Sequence, residues 1–511
     1  MKTSFIATSA LVLATYSAAH GNHEDRDWRA EGDQRISDLK KQFKHISTNE
    51  ARSVILFVAD GNGVSTNYGT RLFQGQKHGG YGDEFVLAHE KMPWTGLVKT
   101  YNTNAQTPDS AATATAMNSG YKTKSGVMGL SDKVNRGDCS NIAGNELPSI
   151  AQQAHDMNKK VGVVSTARIT HATPAAAYAR SVDRDYESSV PGDCTEQVDI
   201  AQQLIMSMSG DDAFVDFAMG GGKGSFYNST EVDFMGEVGN RIDGRNLVEE
   251  ARDMGFQVAE TKEEFESLDF STGDGKILGL FTSSHLSYDH DRLAEGEESI
   301  EPSIMEMTKA AIDFLSNNHD GYYLLVEAGR VDHANHASNL HRTFQDGVAY
   351  QEAVEYAMMN TDPEETLIIS TADHGHAVTF NGYCGRGSPV TGLCYEIDPE
   401  GTMHLPTPNF AEDGATYTVL SIGNGGGSIL YEGGPNFANV SDEGVVMRPN
   451  VTNEEAMDPD YIQQSLVPLS SETHSGADVA LYCQGPWSHL CTGTVEQTHI
   501  YDVMWYAMTH G

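Results

Sequence analysis

SVILFVAD, residues 53–60, is an unbroken run of apolar and β-branched side chains that ends on an acid. A strand exposed on one face alternates apolar and polar residues, whereas a strand covered on both faces reads as continuous hydrophobic sequence. Three further runs share the pattern: VGVVST (161–166), which closes shortly before His171, YYLLVEAG (322–329), which contains Glu327, and TLIISTADH (366–374), which ends on Asp373 and His374. Helix-like segments separate them, which predicts an α/β chain with a large, mostly parallel central sheet flanked by helices on both faces. Ligands of such sheets collect beyond the carboxyl ends of the strands, so strand tips carrying acids and histidines are expected to meet at one site.

The 511 residues carry 33 Lys+Arg against 72 Asp+Glu, a formal net charge of -39. Nucleic acid and anionic membranes both require a basic face, so neither is expected as a partner. Such an excess of acid suits a very soluble, self-repelling surface, and equally a protein adapted to salty, halophilic surroundings. Residues 1–19 open with one Lys, continue through an apolar run and close on small residues at Ser17 and Ala19, which reads as a signal peptide cut near Ala19. The run from Phe5 to Ala19 is shorter than the roughly 20 apolar residues that span a bilayer, and the C-terminal MWYAMTHG carries no hydrophobic tail. The expectation is a protein exported to a periplasm or to the medium, without stable membrane insertion. Six Cys in such a chain predict three disulfides. The close pairs Cys384 with Cys394 and Cys483 with Cys491 leave Cys139 for Cys194, with other pairings open.

After the signal peptide, residues 20–51 form a polar arm with an amphipathic helix expected around 33–45. The α/β domain is expected over 52–380 and 433–511. Between its two parts, residues 381–432 break into Gly, Pro and polar positions (NGYCGRGSPVTGLC, IGNGGGS) and read as an inserted loop-rich subdomain. Asn228, Asn439 and Asn450 stand in glycosylation sequons.

VEAGRVDHANH (326–336) places Asp332 and His336 four residues apart, on one face of a helical turn. With His474 from ETHSGADV (472–479) they make a carboxylate and two imidazoles, the ligand set of a catalytic zinc that keeps a position open. Asp60, Asp373 and His374 supply a second set of the same type. His171 and Thr173 in ITHATPAA (169–176), with Glu327, are richer in oxygen and favour Mg²⁺. Singly, a strand-end Asp is a turn cap and a lone His a satisfied polar group. Jointly, that reading leaves a cluster of acids with no cation to offset their repulsion. In TPDSAATATA (107–116), Asp109 and Ser110 read either as a helix cap or as an acid beside a nucleophile.

DSAATATA, VEAGRVDHANH, TADHGH and ETHSGADV together resemble the alkaline phosphatases, in that family's order and across about residues 54–507. RGSPVTGL and YIQQSLVPLSSETHSGADVA resemble the animal members more than the enteric bacterial ones. The resemblance implies Ser110 as nucleophile and Arg184, in SVDRDY, as the residue that grips phosphate, with Asp109 orienting Arg184 or the Ser110 backbone. It implies one Zn²⁺ held by Asp332, His336 and His474, a second by Asp60, Asp373 and His374 beside Ser110, and one Mg²⁺ served by Asp60, Thr173 and Glu327. Two positions depart from the enteric pattern. His171 stands where that pattern has an acidic Mg²⁺ ligand, and reaches the metal directly or through water. His333 stands where it has a Lys, and either contacts phosphate through water or merely neighbours a ligand.

The implied activity is hydrolysis of small phosphate monoesters to alcohol and inorganic phosphate, through a phosphoserine and a two-zinc in-line displacement. The resemblance further implies a homodimer, with the N-terminal arm and a crown-like 381–432 insertion near the interface. Rival readings are a phosphodiesterase or sulfatase of the same superfamily and an exported phosphate- or metal-binding protein without turnover. The CxPSR or SxPSR context of sulfatases is absent, the third-metal set favours monoesters, and a binding protein has no use for a hydroxyl at Ser110.

Overall fold

The computed structural model describes residues 27–44, 46–233, 235–296, 299–400, 404–440, 444 and 446–511. The signal-peptide reading of residues 1–19 lies outside them. A ten-stranded sheet runs through the molecule in the spatial order Gly493–Glu496, Trp94–Lys99, Val479–Gln484, Thr366–Thr371, Ser53–Ala59, Tyr322–Ala328, Lys160–Arg168, Phe217–Gly221, Ile277–Leu280, Gln257–Ala259. Only Val479–Gln484 runs against the rest, antiparallel to both of its neighbours.

Continuous hydrophobic strands follow from cover on both faces. In Ser53–Ala59 every residue is buried, and alternate side chains enter different cores. Val54, Leu56 and Val58 join one cluster with Tyr323, Leu325, Leu367 and Ile369. Ile55, Phe57 and Ala59 join the other with Leu324, Val326 and Ile368. The first face is covered by the helices Ser110–Ser119, Ile150–Asp156, Ile200–Met208 and His499–Thr509, and the second by Ile304–Leu315 and Leu340–Asn360. Ser303 and Glu306 form a reciprocal capping box at the start of Ile304–Leu315, which satisfies backbone donors that the helix itself leaves unpaired.

Register levels the strand ends. Val58 lies beside Glu327 on one side and Thr371 on the other, and Ser165 lies beside Glu327. Asp60 and Asp373 follow directly, so the acids that end these strands share one edge of the sheet. Gly61 turns the chain there at φ +71°, and a Cβ on it would stand 2.4 Å from His376 Nε2.

The first helix spans Trp28–Gln42 rather than 33–45. Asp27 accepts the N–H groups of Arg29 and Ala30, and Glu31 sits in the first turn. This cap carries the helix through Gly32, whose penalty of about 1 kcal/mol is of the same size as a cap's contribution. Beyond the main sheet, Val378–Phe380, Leu420–Gly425 and Ser465–Pro468 make a three-stranded sheet, with two-stranded pieces at Tyr395–Ile397 with His404–Pro408 and at Asn439–Val440 with Val446–Met447. The disulfides are Cys139–Cys194, Cys384–Cys394 and Cys483–Cys491, and no cysteine is free.

Candidate active site

Ser110 begins the helix Ser110–Ser119 and is buried. Asp109 is its N-cap, accepting the N–H groups of Ala111 and Ala112. The same carboxylate accepts from Gly126 N at 3.0 Å, from Asn102 Nδ2 at 3.1 Å and from Arg184 Nη1 at 3.2 Å. Small residues fill the helix because its whole length is buried against the sheet. Ser110 Oγ lies 3.1 Å from His374 Nε2, which in turn lies 3.4 Å from Asp60 Oδ1 and 3.1 Å from Asp373 Oδ2. Asp60, Asp373 and His374 thus close around one point next to the serine, with their ligand atoms within 4.8 Å of one another. Asp373 is fixed by Gly61 N, its own following N–H from His374, and Thr113 Oγ1.

On the other side, Arg330–His336 presents Asp332 and His336 from one helical turn, and His474 arrives on the short strand that pairs with His376. His336 Nε2 and His474 Nε2 stand 3.0 Å apart, at 3.4 and 3.3 Å from Asp332 Oδ1. Their other ring nitrogens meet backbone carbonyls: His336 Nδ1 is 2.6 Å from Glu472 O, and His474 Nδ1 is 2.8 Å from Pro108 O. A carbonyl only accepts, so each Nδ1 carries a proton and each Nε2 is turned toward the other ring and Asp332 Oδ1. Two imidazole nitrogens and a carboxylate oxygen aimed at one point call for a positive charge between them, a proton or a metal ion. The donor set fits a divalent metal, and the carbonyls are the outer partners that orient metal-binding imidazoles.

The third set is Asp60, His171 and Glu327, whose ligand atoms also lie within 4.8 Å of one another. Thr173 Oγ1 donates to Asp60 Oδ2 at 3.5 Å, and Ser165 Oγ donates to Glu327 Oε2. Asp60 Oδ1 and Glu327 Oε1 are buried without a hydrogen-bond partner. Burial, then the charge of Asp373, pushes the Asp60 carboxyl well above the usual range, and burial lifts Glu327 to about 7 against hydrogen bonds from Ser165 and Thr173. Carboxylates held this way call for a positive charge, and the oxygen-rich set fits a hard cation such as Mg²⁺.

Two residues that spacing did not single out complete the site. His376 Nε2 lies 2.7 Å from Asp332 Oδ1, and its Nδ1 lies 2.5 Å from Glu472 Oε2. Burial opposes a charge on His376, but the bonds to Asp332 and Glu472 prevail and raise its pKa to about 9. Asp332 is held well below the carboxylate range, since His336, His376 and His474 outweigh the burial that acts against them. The signal was in the quoted sequence, in the final His of TADHGH and the first Glu of ETHSGADV, but only the fold pairs them. Arg184 joins this edge from a loop: Nη1 holds Asp109, and Nη2 lies 3.0 Å from His171 Nε2. The His333 ring packs 5.3 Å from that of His171.

Residues 51–510 match the profile of the family described as alkaline phosphatase. Alkaline phosphatase of Gadus morhua is 37% identical over 498 residues, 95% of this chain and 96% of its own. The tissue-nonspecific isozyme of Gallus gallus is 37% identical over 522 residues, covering 99% and 94% of the two chains. Among solved structures, alkaline phosphatase from the Antarctic bacterium TAB5 aligns with a TM-score of 0.59 at 19% identity, over 90% of this chain and 99% of that one. A mutant of the TAB5 enzyme, with TM-score 0.59, 20% identity and 91% and 99% cover, has been solved with Mg bound in its M3 site. With the profile spanning nearly the whole chain and relatives matched end to end, the protein belongs to the alkaline phosphatase family, whose members act on phosphate monoesters.

Proposed function

We propose that the protein is an exported phosphatase that transfers the phosphoryl group of a small monoester to Ser110 and then to water. The observation that carries the reading is the pair of imidazole Nε2 atoms 3.0 Å apart beside Asp332, together with a buried serine that opens a helix and meets His374. Asp332, His336 and His474 would hold one Zn²⁺, Asp60, Asp373 and His374 a second with Ser110 alongside, and Asp60, Thr173 and Glu327 a Mg²⁺ with His171 at hand. When bound, such cations lower the pKa of a neighbouring hydroxyl and offset charge on the attacking and leaving oxygens.

The chain's own groups do the rest. Asp109 fixes the turn that presents Ser110, and the helix behind it turns its positive dipole end toward an anion. Arg184, steadied by Asp109, has N–H groups on a planar fork suited to two phosphate oxygens. Ser110 Oγ forms a bond to phosphorus as the ester P–O bond breaks and the alcohol leaves. Water then attacks the phosphoserine, inorganic phosphate departs, and the serine regains its proton. Two in-line displacements give net retention at phosphorus. His333, whose ring packs 5.3 Å from that of His171, would contact the phosphate through water. Three disulfides support an oxidising, exported setting, and no helix among the described residues is long and apolar enough to cross a membrane. The proposed assembly is a homodimer, as the family resemblance of the sequence implies, with the N-terminal arm and the crown-like 381–432 segment near its interface.

The test is elemental analysis of the purified protein with turnover of an aryl phosphate measured before and after chelation. The expected outcome is about two Zn and one Mg per chain, with activity lost on chelation and restored by the metals. Phosphate trapped covalently on Ser110 at acid pH separates catalysis from mere binding. Faster turnover of the matching diester would replace the monoesterase reading.

A further inference from the structure

Beside Arg184, the structure gathers more hydrogen-bond donors than its own acceptors can use. Arg168, at the end of the strand Lys160–Arg168, gives Nε and Nη2 to Glu187 in a two-pronged pair, at 2.7 to 3.1 Å. Its remaining prong, Nη1, lies 2.6 Å from His285 Nε2 and 3.4 Å from Ser284 Oγ. The backbone N–H of Arg168 points at the other ring nitrogen, His285 Nδ1, at 3.2 Å. A neutral imidazole accepts one hydrogen bond and an imidazolium accepts none, so at least one of these two N–H groups faces another N–H.

The surplus continues into the neighbouring rings. His285 packs 3.9 Å from His333 and 5.5 Å from His171 between ring centroids. His171 Nε2 lies 3.0 Å from Arg184 Nη2, and its Nδ1 is buried without a hydrogen-bond partner. His333 Nδ1 and Arg330 Nε are also buried without partners. Glu187 is spent on Arg168 and Thr170, and Asp332 turns to its histidines. Ser284 is exposed and the Arg168 side chain is 25% exposed, so the cluster opens to solvent. On a chain of net charge -39, a solvent-reached cluster of unsatisfied donors is a place for an anion.

We propose that Arg168 Nη1 and His285, on the far side of the His171 ring from Arg184, form a second anion subsite that takes a second phosphoryl group carried by the substrate. An oxygen placed between the guanidinium prong and the His285 N–H accepts from both and removes their mutual exclusion. The inference rests on monoester hydrolysis at Ser110 and adds its substrate class: esters whose alcohol bears another phosphate a few bonds away.

The experiment compares propyl phosphate with propane-1,3-diyl bisphosphate on the metal-loaded protein. In the wild type the bisphosphate is expected to have a KM about tenfold lower, the worth of one charge-assisted hydrogen bond. His285→Phe keeps the ring volume and is expected to erase that advantage while leaving kcat/KM for propyl phosphate within about twofold, and His285→Gln, which retains an N–H, recovers part of it. Equal KM values in the wild type, or equal losses for both esters in His285→Phe, overturn the subsite without needing any further variant. Inorganic phosphate should inhibit propyl phosphate turnover competitively; a mixed pattern abolished by His285→Phe assigns the subsite to free phosphate and overturns the tethered-group assignment. Failure of the wild type to hydrolyse either ester instead refutes the phosphatase reading itself.

Discussion

Asp109 sits between Ser110 and Arg184, capping the helix of one and holding the guanidinium of the other. In the proposed mechanism it orients and transfers no proton, so its loss and the loss of Ser110 are separable. Ser110→Ala is expected to lower kcat by more than about 10³-fold, and Asp109→Ala by about 10- to 100-fold with a raised KM for the ester. Steady-state kinetics on an aryl phosphate decides it, and equal losses would make Asp109 a direct participant. In the proposed centre His376 acts on the metal through Asp332, and removing such an outer partner weakens metal affinity by about 10- to 100-fold. His376→Ala is therefore expected to release zinc to a competing chelator at correspondingly lower chelator concentration, with activity restored by excess metal. Glu472 illustrates what a sequence hides. Its carbonyl orients His336 and its carboxylate meets His376, but nothing in spacing shows that residue 472 lies against residues 336 and 376.

Elements of one kind were readable and of another were not. Strands buried on two faces leave a continuous apolar signature, so the runs at Ser53–Ala59, Tyr322–Ala328 and Thr366–Thr371 were legible, as were the acids at their ends. Periodicity carries no such information for the short strands beyond Val378. These are two to six residues long, many of them exposed, and are held by pairing and by single ion pairs. Arg448 is one such tie, with Nε and Nη2 on the two oxygens of Asp413 at 2.8 and 2.9 Å. The hydrogen bond from Arg448 lowers the Asp413 pKa from 3.8 to about 2. A depressed acid stabilises the fold fully above its unfolded pKa and loses that contribution as pH falls through the folded one. Arg448→Gln is expected to lower Tm by about 2 °C at about pH 7, a gap that narrows below about pH 4 and closes near pH 2. A thermal melt series across pH measures it, and a gap that stays constant in acid would show that the pair contributes nothing.

Charge acts on the whole molecule. With -39 spread over the chain, the folded state repels itself more strongly than the extended one, and salt screens that repulsion beyond about 10 Å at 0.1 M. Raising NaCl from about 0.01 M to about 1 M is expected to raise Tm by several degrees. It should also raise KM, because the same screening weakens Arg184's hold on an anion. Calorimetry and kinetics across the series read the two effects, and a flat or falling Tm would remove salt adaptation while leaving the chemistry untouched. The lone antiparallel strand Val479–Gln484 sets the order of assembly. It is wedged between Thr366–Thr371 and Trp94–Lys99, and His474 rides in just ahead of it. A chain emerging amino end first has made every other ligand before it makes this strand, yet cannot join the two parts of its sheet until the last tenth of synthesis is done. The set at this edge is therefore complete only when synthesis is almost done, since a chain released short of it lacks both His474 and the strand that bridges the sheet.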